Sequence, residues 1–532
     1  MAAAAHPAAV PADAPRGERW LFGPLPDLVL GCGLGYSVLF VLQALHGDAM
    51  RAVFPIGFAP LAALVTGIPH YGATLLRVYD RREDRRAYVF FTVHLTLLLA
   101  GLFGLALWWP LVGSVLVTLY LTWSPWHYAG QNYGLSVMFL RRRRVAIDDV
   151  TKRLLYASFF LSFVLTFLAV HTADYRGGSY APETARATPG TSVGPIFEFL
   201  PLGIPGPVAA TLLLGFFGLY LTVLGAAALR LLRRATPSDL LPTAMLVGTQ
   251  ALWFSIPVAA QHFGLFAGVD PLAAENSRYA FLWVIVGHSV QYLWVTAYYA
   301  SRTPSFHGRG RWYAVCLLAG SALWGLPALV FGPALFGSME YMGGLVLLVA
   351  AVVNLHHFLL DGAIWKLRDG RVAQILIRPR TAPGTAGTDT APRRSWLRPA
   401  IYAAGALCAA ISVIWTLETE YGWARASQRK DVARMRQAAE RLDWIGRGNS
   451  QLHLELALFA AEQGRLEEAL REVEASLALR SLPRAWYLRG LIYERRGDAA
   501  RARESFEQAY ALTPGRSEVR EALERVKAAG PS

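Results

Sequence analysis

A chain of 532 residues that is 54% hydrophobic and only 17% charged is too apolar for a soluble fold of this length. Its formal net charge of +14 does not indicate nucleic acid, because the arginines sit in short loops between apolar runs of about 20 residues, the length that crosses a bilayer as a helix. The three cysteines, Cys32, Cys316 and Cys408, all lie inside apolar runs, which argues against a disulfide framework.

The Ala/Pro-rich start, Met1 to Arg16, lacks the basic opening and continuous apolar core of a cleavable signal peptide. Residues 1–26 are therefore expected to be a disordered cytoplasmic tail. Residues 27–366 read as an all-α, polytopic membrane domain. Apolar spans fall at 28–45, 53–76, 88–108, 111–136, 154–171, 206–230, 241–266, 279–300, 313–334 and 341–365. An eleventh at 399–416 follows a flexible cytoplasmic linker, 367–398, rich in Thr, Pro, Gly and Arg.

Every second loop is basic, as with Arg77, Arg81, Arg82, Arg85 and Arg86, or Arg141 to Arg144, while the alternate loops are nearly bare. The positive-inside bias then places the N-terminus in the cytoplasm. With eleven helices in an inner (plasma) membrane, everything after 416 lies outside.

Residues 425–532 change character. Ala485, Trp486, Gly490, Tyr493, Gly497, Ala502, Phe506, Ala509 and Pro514 follow the tetratricopeptide pattern, and Gly464, Ala469 and Leu479 echo it one repeat earlier, at a spacing of about 34 residues. This stretch resembles a short tetratricopeptide-repeat domain, which implies a protein partner. Residues 431–446 are expected to supply a degenerate first helix and 516–528 a capping helix.

The membrane spans carry histidines, which are expensive in a bilayer and call for an explanation. On the deduced topology His70, His94, His127, His288, His356 and His357 all lie in the middle or cytoplasmic half of their spans, whereas His171 and His262 lie near outer ends. Neutral imidazoles at one level suit a metal ion. Polar companions at helical spacing read as a second shell that orients them: Gln131 beside His127, Gln291 and Tyr292 beside His288, Asn354 and Asp361 beside His357.

His70, His127, His288 and His357 are the expected ligands, with His356 and His94 in reserve. Non-haem iron fits this donor set; zinc and haem are alternatives, as is a packing or proton-path role for each histidine. One shared ion requires at least three of these imidazoles to converge, beside a cavity of apolar and aromatic residues.

Gly67-Ile68-Pro69-His70, Trp126-His127-Tyr128 and His288-Ser289 resemble motifs of the Brp/Blh-type bacterial β-carotene dioxygenases. Across that resemblance Tyr71-Gly72-Ala73-Thr74 stands where the family usually has Gly and a following Asp, and His356-His357 has no counterpart. The resemblance implies intramembrane histidines holding an iron that uses O2 to cleave an apolar substrate. The expected function is a membrane-bound, metal-dependent oxygenase acting on a lipid or isoprenoid/carotenoid-like molecule. Two other classes stay open: a lipid-linked glycosyltransferase or polymer ligase, for which the first outward loop offers Asp48 and the 172–205 loop Asp174 and Glu183, and a non-enzymatic membrane scaffold with an interaction domain.

Overall fold

The computed structural model describes residues 19–79, 87–173, 197–273, 276–303, 306–333, 335–366, 370–377 and 397–528. They are helical throughout, with one isolated bridge, Thr172 to Ile204, outside the helices. Helix starts follow local chemistry. Pro110 and Pro237 open their helices, where a missing N–H costs nothing, and Asp148 caps the next helix by accepting from Thr151 N at 2.7 Å.

Among the described residues eight helices are long and apolar enough to cross a membrane: Phe90–Trp108, Asp149–Val170, Gly206–Leu232, Pro237–Phe263, Tyr279–Ser301, Arg309–Val330, Tyr341–Ile364 and Leu397–Gln428. A pair bent by 61°, Pro24–Gly31 with Leu34–Val53, raises the number to nine, against the eleven expected. The two that fall short are Pro110–Arg142 and the helical stretch 59–79. Both are interrupted by polar residues, among them His70, Thr74, His127, Gln131 and Asn132. The mean hydropathy drops where the interior face turns polar.

Three expected boundaries shift. Within the presumed tail, Trp20 packs on Phe139 and accepts from Arg142 Nη2 at 2.7 Å. Asp27, at the end of that turn, is buried and accepts from Leu21 N and Trp294 Nε1. Within the presumed linker, Gly370–Leu376 is a helix with Val372 and Leu376 in the same core, while residues 378–396 lie outside the described ones. The last span runs past its expected end at 416. It packs along Arg309–Val330, where a Cβ on Gly405 would lie 2.0 Å from Leu318 O, and it continues to Gln428, at the edge of the repeats.

The same kind of close approach locks the His70 helix in place. A Cβ on Gly72 would lie 1.8 Å from Cys316 O, and one on Gly320 would lie 2.0 Å from Ile68 O. Such backbone-to-backbone contact is how helices gain dispersion energy in lipid, where the solvent is as apolar as a side chain.

The basic segments meet at one end of the bundle. Arg77 stacks on Tyr299, Arg143 on Trp20, Arg302 on Tyr298 and Arg309 on Phe22. The repeats dock at the opposite end. Buried Glu340 accepts from Ser450 N and Oγ at 2.8 and 2.9 Å, and Arg447 Nη1 donates to Ala328 O at 3.0 Å while stacking on Tyr341.

The repeat domain consists of antiparallel helices from Val432–Trp444 to Ser517–Ala528. Gly464 and Gly497 turn the chain at φ 73° and 79°, a left-handed conformation open to glycine at little cost.

Candidate metal centre

Each of four helices contributes one imidazole. The stretch 59–79 brings His70, Pro110–Arg142 brings His127, Ser277–Ser301 brings His288 and Val346–Ile364 brings His357. One ligand atom from each of the four lies within 4.8 Å of all the others, so the group could hold a metal ion. Nitrogens sharing one ion at about 2.1 Å sit roughly 3.0–4.2 Å apart. The pocket formed by the side chains is therefore close to coordination size. His70 Nε2 and His357 Nε2 approach to 2.8 Å, and the rings of His127 and His288 lie 5.1 Å apart, edge to face.

Hydrogen bonding separates the inward from the outward nitrogens. His70 Nδ1 lies 3.3 Å from Gly67 O, a carbonyl that can only accept, so Nδ1 carries the proton and the Nε2 lone pair points inward. His357 Nδ1 contacts Thr74 Oγ1 at 3.0 Å and also turns Nε2 inward. A backbone carbonyl or hydroxyl behind the far nitrogen is the usual way a ligating imidazole is held.

His127 Nε2 and both ring nitrogens of His288 are buried with no hydrogen-bond partner. Leaving one such group unpaired costs about 1–3 kcal/mol. A cation among the four rings would take one nitrogen from each and so satisfy His127 Nε2 and one nitrogen of His288. The residues present therefore fit a metal ion.

Around this core Asp361 Oδ1 accepts from Tyr292 OH at 2.8 Å and from Thr74 Oγ1 at 3.3 Å, and Trp365 Nε1 donates to Tyr292 OH at 3.1 Å. Asn354 Oδ1 accepts from Tyr71 OH at 2.7 Å, which sets the tyrosine ring 4.3 Å from His70. Phe358 stacks on His127 at 4.4 Å and Tyr128 lies against His288 at 4.1 Å, so the site is walled by aromatic rings.

The structure parts company with the sequence expectations at four residues. His356 is not among the grouped histidines: its Nε2 meets Thr96 Oγ1 at 2.9 Å, about 100° round the helix from His357. His94 is exposed and stacks on Phe90 at 6.2 Å. Gln131 and Gln291 are near the centre, but no ring nitrogen is bonded to them. Gln131 Nε2 donates to His288 O and to Gln291 Oε1, and Gln291 Nε2 donates to Asn132 Oδ1 at 3.1 Å and Gly31 O at 2.8 Å. This amide chain continues through Gln250 to Ser162 and ties the helices together.

Thr74, Tyr71 and Trp365 were missed. Thr74 and Trp365 had a weak signal, being four residues from His70 and Asp361 and hence on the same helical faces.

A tetratricopeptide-repeat family model matches residues 483–516. Neither the curated proteins nor the solved structures contain a match to the chain, so the resemblance of the membrane helices to the Brp/Blh-type dioxygenases gains no support from them. The chain thus combines long apolar helices able to span a membrane, four histidines able to hold a metal, and a tetratricopeptide repeat of the kind that mediates protein–protein contact.

Proposed function

We propose that His70, His127, His288 and His357 bind one metal ion inside the membrane, and that the protein is a metal-dependent oxygenase acting on a lipid or isoprenoid-like substrate. The observation that carries this reading is the convergence of four imidazoles from four helices, with three buried nitrogens lacking a hydrogen-bond partner. The Asp361 carboxylate is a candidate fifth donor. Its Oδ1 is taken by Tyr292 and Thr74, while Oδ2 faces the group, 3.3 Å from His357 Nε2 and 4.0 Å from His127 Nε2.

Close ring packing favours a bare ion over haem, since the His70 and His357 rings are only 4.3 Å apart and leave no slot for a porphyrin. Non-haem iron is preferred to zinc on the resemblance of the Gly67–His70, Trp126–Tyr128 and His288–Ser289 segments to the dioxygenase motifs. Bound iron would supply O2 chemistry at this site. The chain's own residues orient the donors through Gly67 O, Thr74 and Tyr292, and the rings of Tyr71, Tyr128 and Phe358 exclude water.

A glycosyltransferase or polymer-ligase reading is less favoured. Of its candidate acids Asp48 is paired with Arg51, and Asp174 and Glu183 lie outside the described residues. In the proposed topology the arginine-rich end faces the cytoplasm and the repeat domain lies outside, where it binds a protein partner; a reporter fused after Ser532 that works only in the cytoplasm would refute it.

Elemental analysis of the detergent-purified chain tests the metal reading. About one equivalent of iron is expected, lost in both His70→Ala and His357→Ala. Stoichiometric zinc would keep the site and remove the oxygenase; metal at background level, or unchanged in both variants, would sink the centre itself.

A further inference from the structure

The joint between the last apolar helix and the repeats carries an arginine-lined cavity. Its volume is about 280 Å³, and Tyr421, Arg425, Ala426, Arg429, Asp431 and Arg434 form its walls. Three arginines line it against one acid, and that acid is engaged with its own helix: Asp431 caps Val432–Trp444 by accepting from Arg434 N at 3.0 Å. The arginines are only partly neutralised. Arg434 Nη2 donates to Glu418 Oε2 at 2.7 Å, but Glu418 is shared, its other oxygen accepting from Arg441 at 2.7 Å. Arg425 meets Glu420 through Nε at 3.5 Å and lies over the Tyr421 ring at 4.3 Å. Arg429 is exposed, with no ion pair or side-chain hydrogen bond among the described residues. A guanidinium carries several N–H donors in a planar fork that matches phosphate oxygens, so these contacts leave most of them over.

The backbone around the cavity is unusual on both sides. Glu418–Ala424 is π-helical, a distortion found frequently at functional sites. Lys430 then turns the chain at φ 55°, a left-handed conformation that a residue with a side chain adopts at a cost. After that turn Val432–Trp444 begins, and its Arg434 joins Arg425 and Arg429 on the cavity wall. Depth points to the bilayer surface. The apolar run ends at Leu417, and Tyr421 lies one turn, roughly 5 Å, farther along. The headgroup zone occupies roughly 5–8 Å on each side of the hydrocarbon. Helical side chains lean toward the N-terminal end of their helix, here back toward the bilayer, which is how Arg425 comes to cover Tyr421. Guanidinium groups held at this level, beside an interfacial tyrosine, stand where lipid phosphates lie.

We propose that this cavity binds a phosphate group, presented by the headgroup of an anionic lipid or by a small phosphate ester, with Arg425, Arg429 and Arg434 as its donors. Two of these arginines belong to the end of the last span and the third to the first helix of the repeat domain, so a phosphate bound between them ties the repeats to the bilayer surface. The site is separate from the histidine centre and does not rest on a metal there.

The test places the full chain in phosphatidylcholine nanodiscs and has two arms. In one, a phosphatidylglycerol analogue with a diazirine on its headgroup and an alkyne at the end of an acyl chain is photolysed, and crosslinks are mapped by mass spectrometry. In the other, isotope-labelled glycerol 3-phosphate is followed by equilibrium dialysis. Lipid labelling is expected within 421–434. The half-saturating concentration should rise at least tenfold in Arg429→Glu, where an exposed side chain without a partner leaves the fold undisturbed, and about fivefold in Arg425→Gln as the second variant. Metal per chain should stay unchanged in both. A loss confined to the lipid arm assigns the phosphate to a headgroup, and a loss in the dialysis arm assigns it to a small ester. Binding in neither arm, or binding that both variants leave as it was, would overturn the proposal. A chain that binds either probe but never holds metal would sink the histidine centre and leave this site standing.

Discussion

Two of the buried histidine sites in this protein have opposite surroundings. In the repeat domain His453 has a carboxylate on each nitrogen: Glu472 at 2.8 Å from Nδ1 and Asp443 at 3.3 Å from Nε2. Burial pulls its pKa down, but the two carboxylates outweigh that and hold it raised to about 9. In the bundle, four imidazoles face one another, and three of their buried nitrogens have no hydrogen-bond partner. A histidine with both nitrogens satisfied is accounted for by folding. A cluster left without those bonds is what the proposed metal would answer.

The comparison breaks most sharply at His288. If the cluster binds metal, His288→Leu should lower metal content at least tenfold, read by elemental analysis. If it is packing alone, the same change removes two unpaired buried groups, and the thermal midpoint should hold or rise with metal unaffected.

Thr74→Val comes next. It removes the hydroxyl behind His357 Nδ1 and should weaken metal retention about 10–100-fold against a chelator. Retention equal to that of the unmodified chain would mean that Thr74 serves only the fold.

The repeat domain offers changes of the other sort, in stability rather than metal. Glu340→Ala leaves Ser450 N and Oγ without their acceptor in the buried joint between bundle and repeats. It should cost roughly 2–3 kcal/mol and expose the junction to limited proteolysis, with metal content unchanged.

His453 adds a pH dependence of known sign. Its folded pKa lies above the unfolded value of about 6.5, so its contribution is complete below pH 6.5 and is lost as pH rises through about 9. The repeats should lose about 3 kcal/mol across that window, and His453→Ala should flatten the profile. A midpoint that rises with pH there would contradict the ion pairs. The smallest effect belongs to His94→Ala, at an exposed position away from the centre, for which metal content and stability should both stay as they are.

Much of this architecture follows from local rules that one sequence can express. Apolar runs of bilayer length, proline and aspartate at helix starts, and glycines at turn positions each act within a few residues, and they determine the helices and the repeat pattern by themselves. The common level of His70, His127, His288 and His357 is legible for the same reason, because depth in a span is a one-dimensional count. Span number was less legible: the helices carrying His70 and His127 give up apolar character on the face that meets the centre, and composition cannot tell which face that is.

What only the tertiary structure decided is which side chains meet. His356 and His357 are neighbours about 100° apart on one helix, so one can face the centre only if the other turns away. Nothing within Asn354–Asp361 makes that choice. It is made by Thr96 on one flank and by His70 and Thr74 on the other, residues some 260 to 290 positions away whose helices are brought up by close backbone contacts such as Gly72 against Cys316.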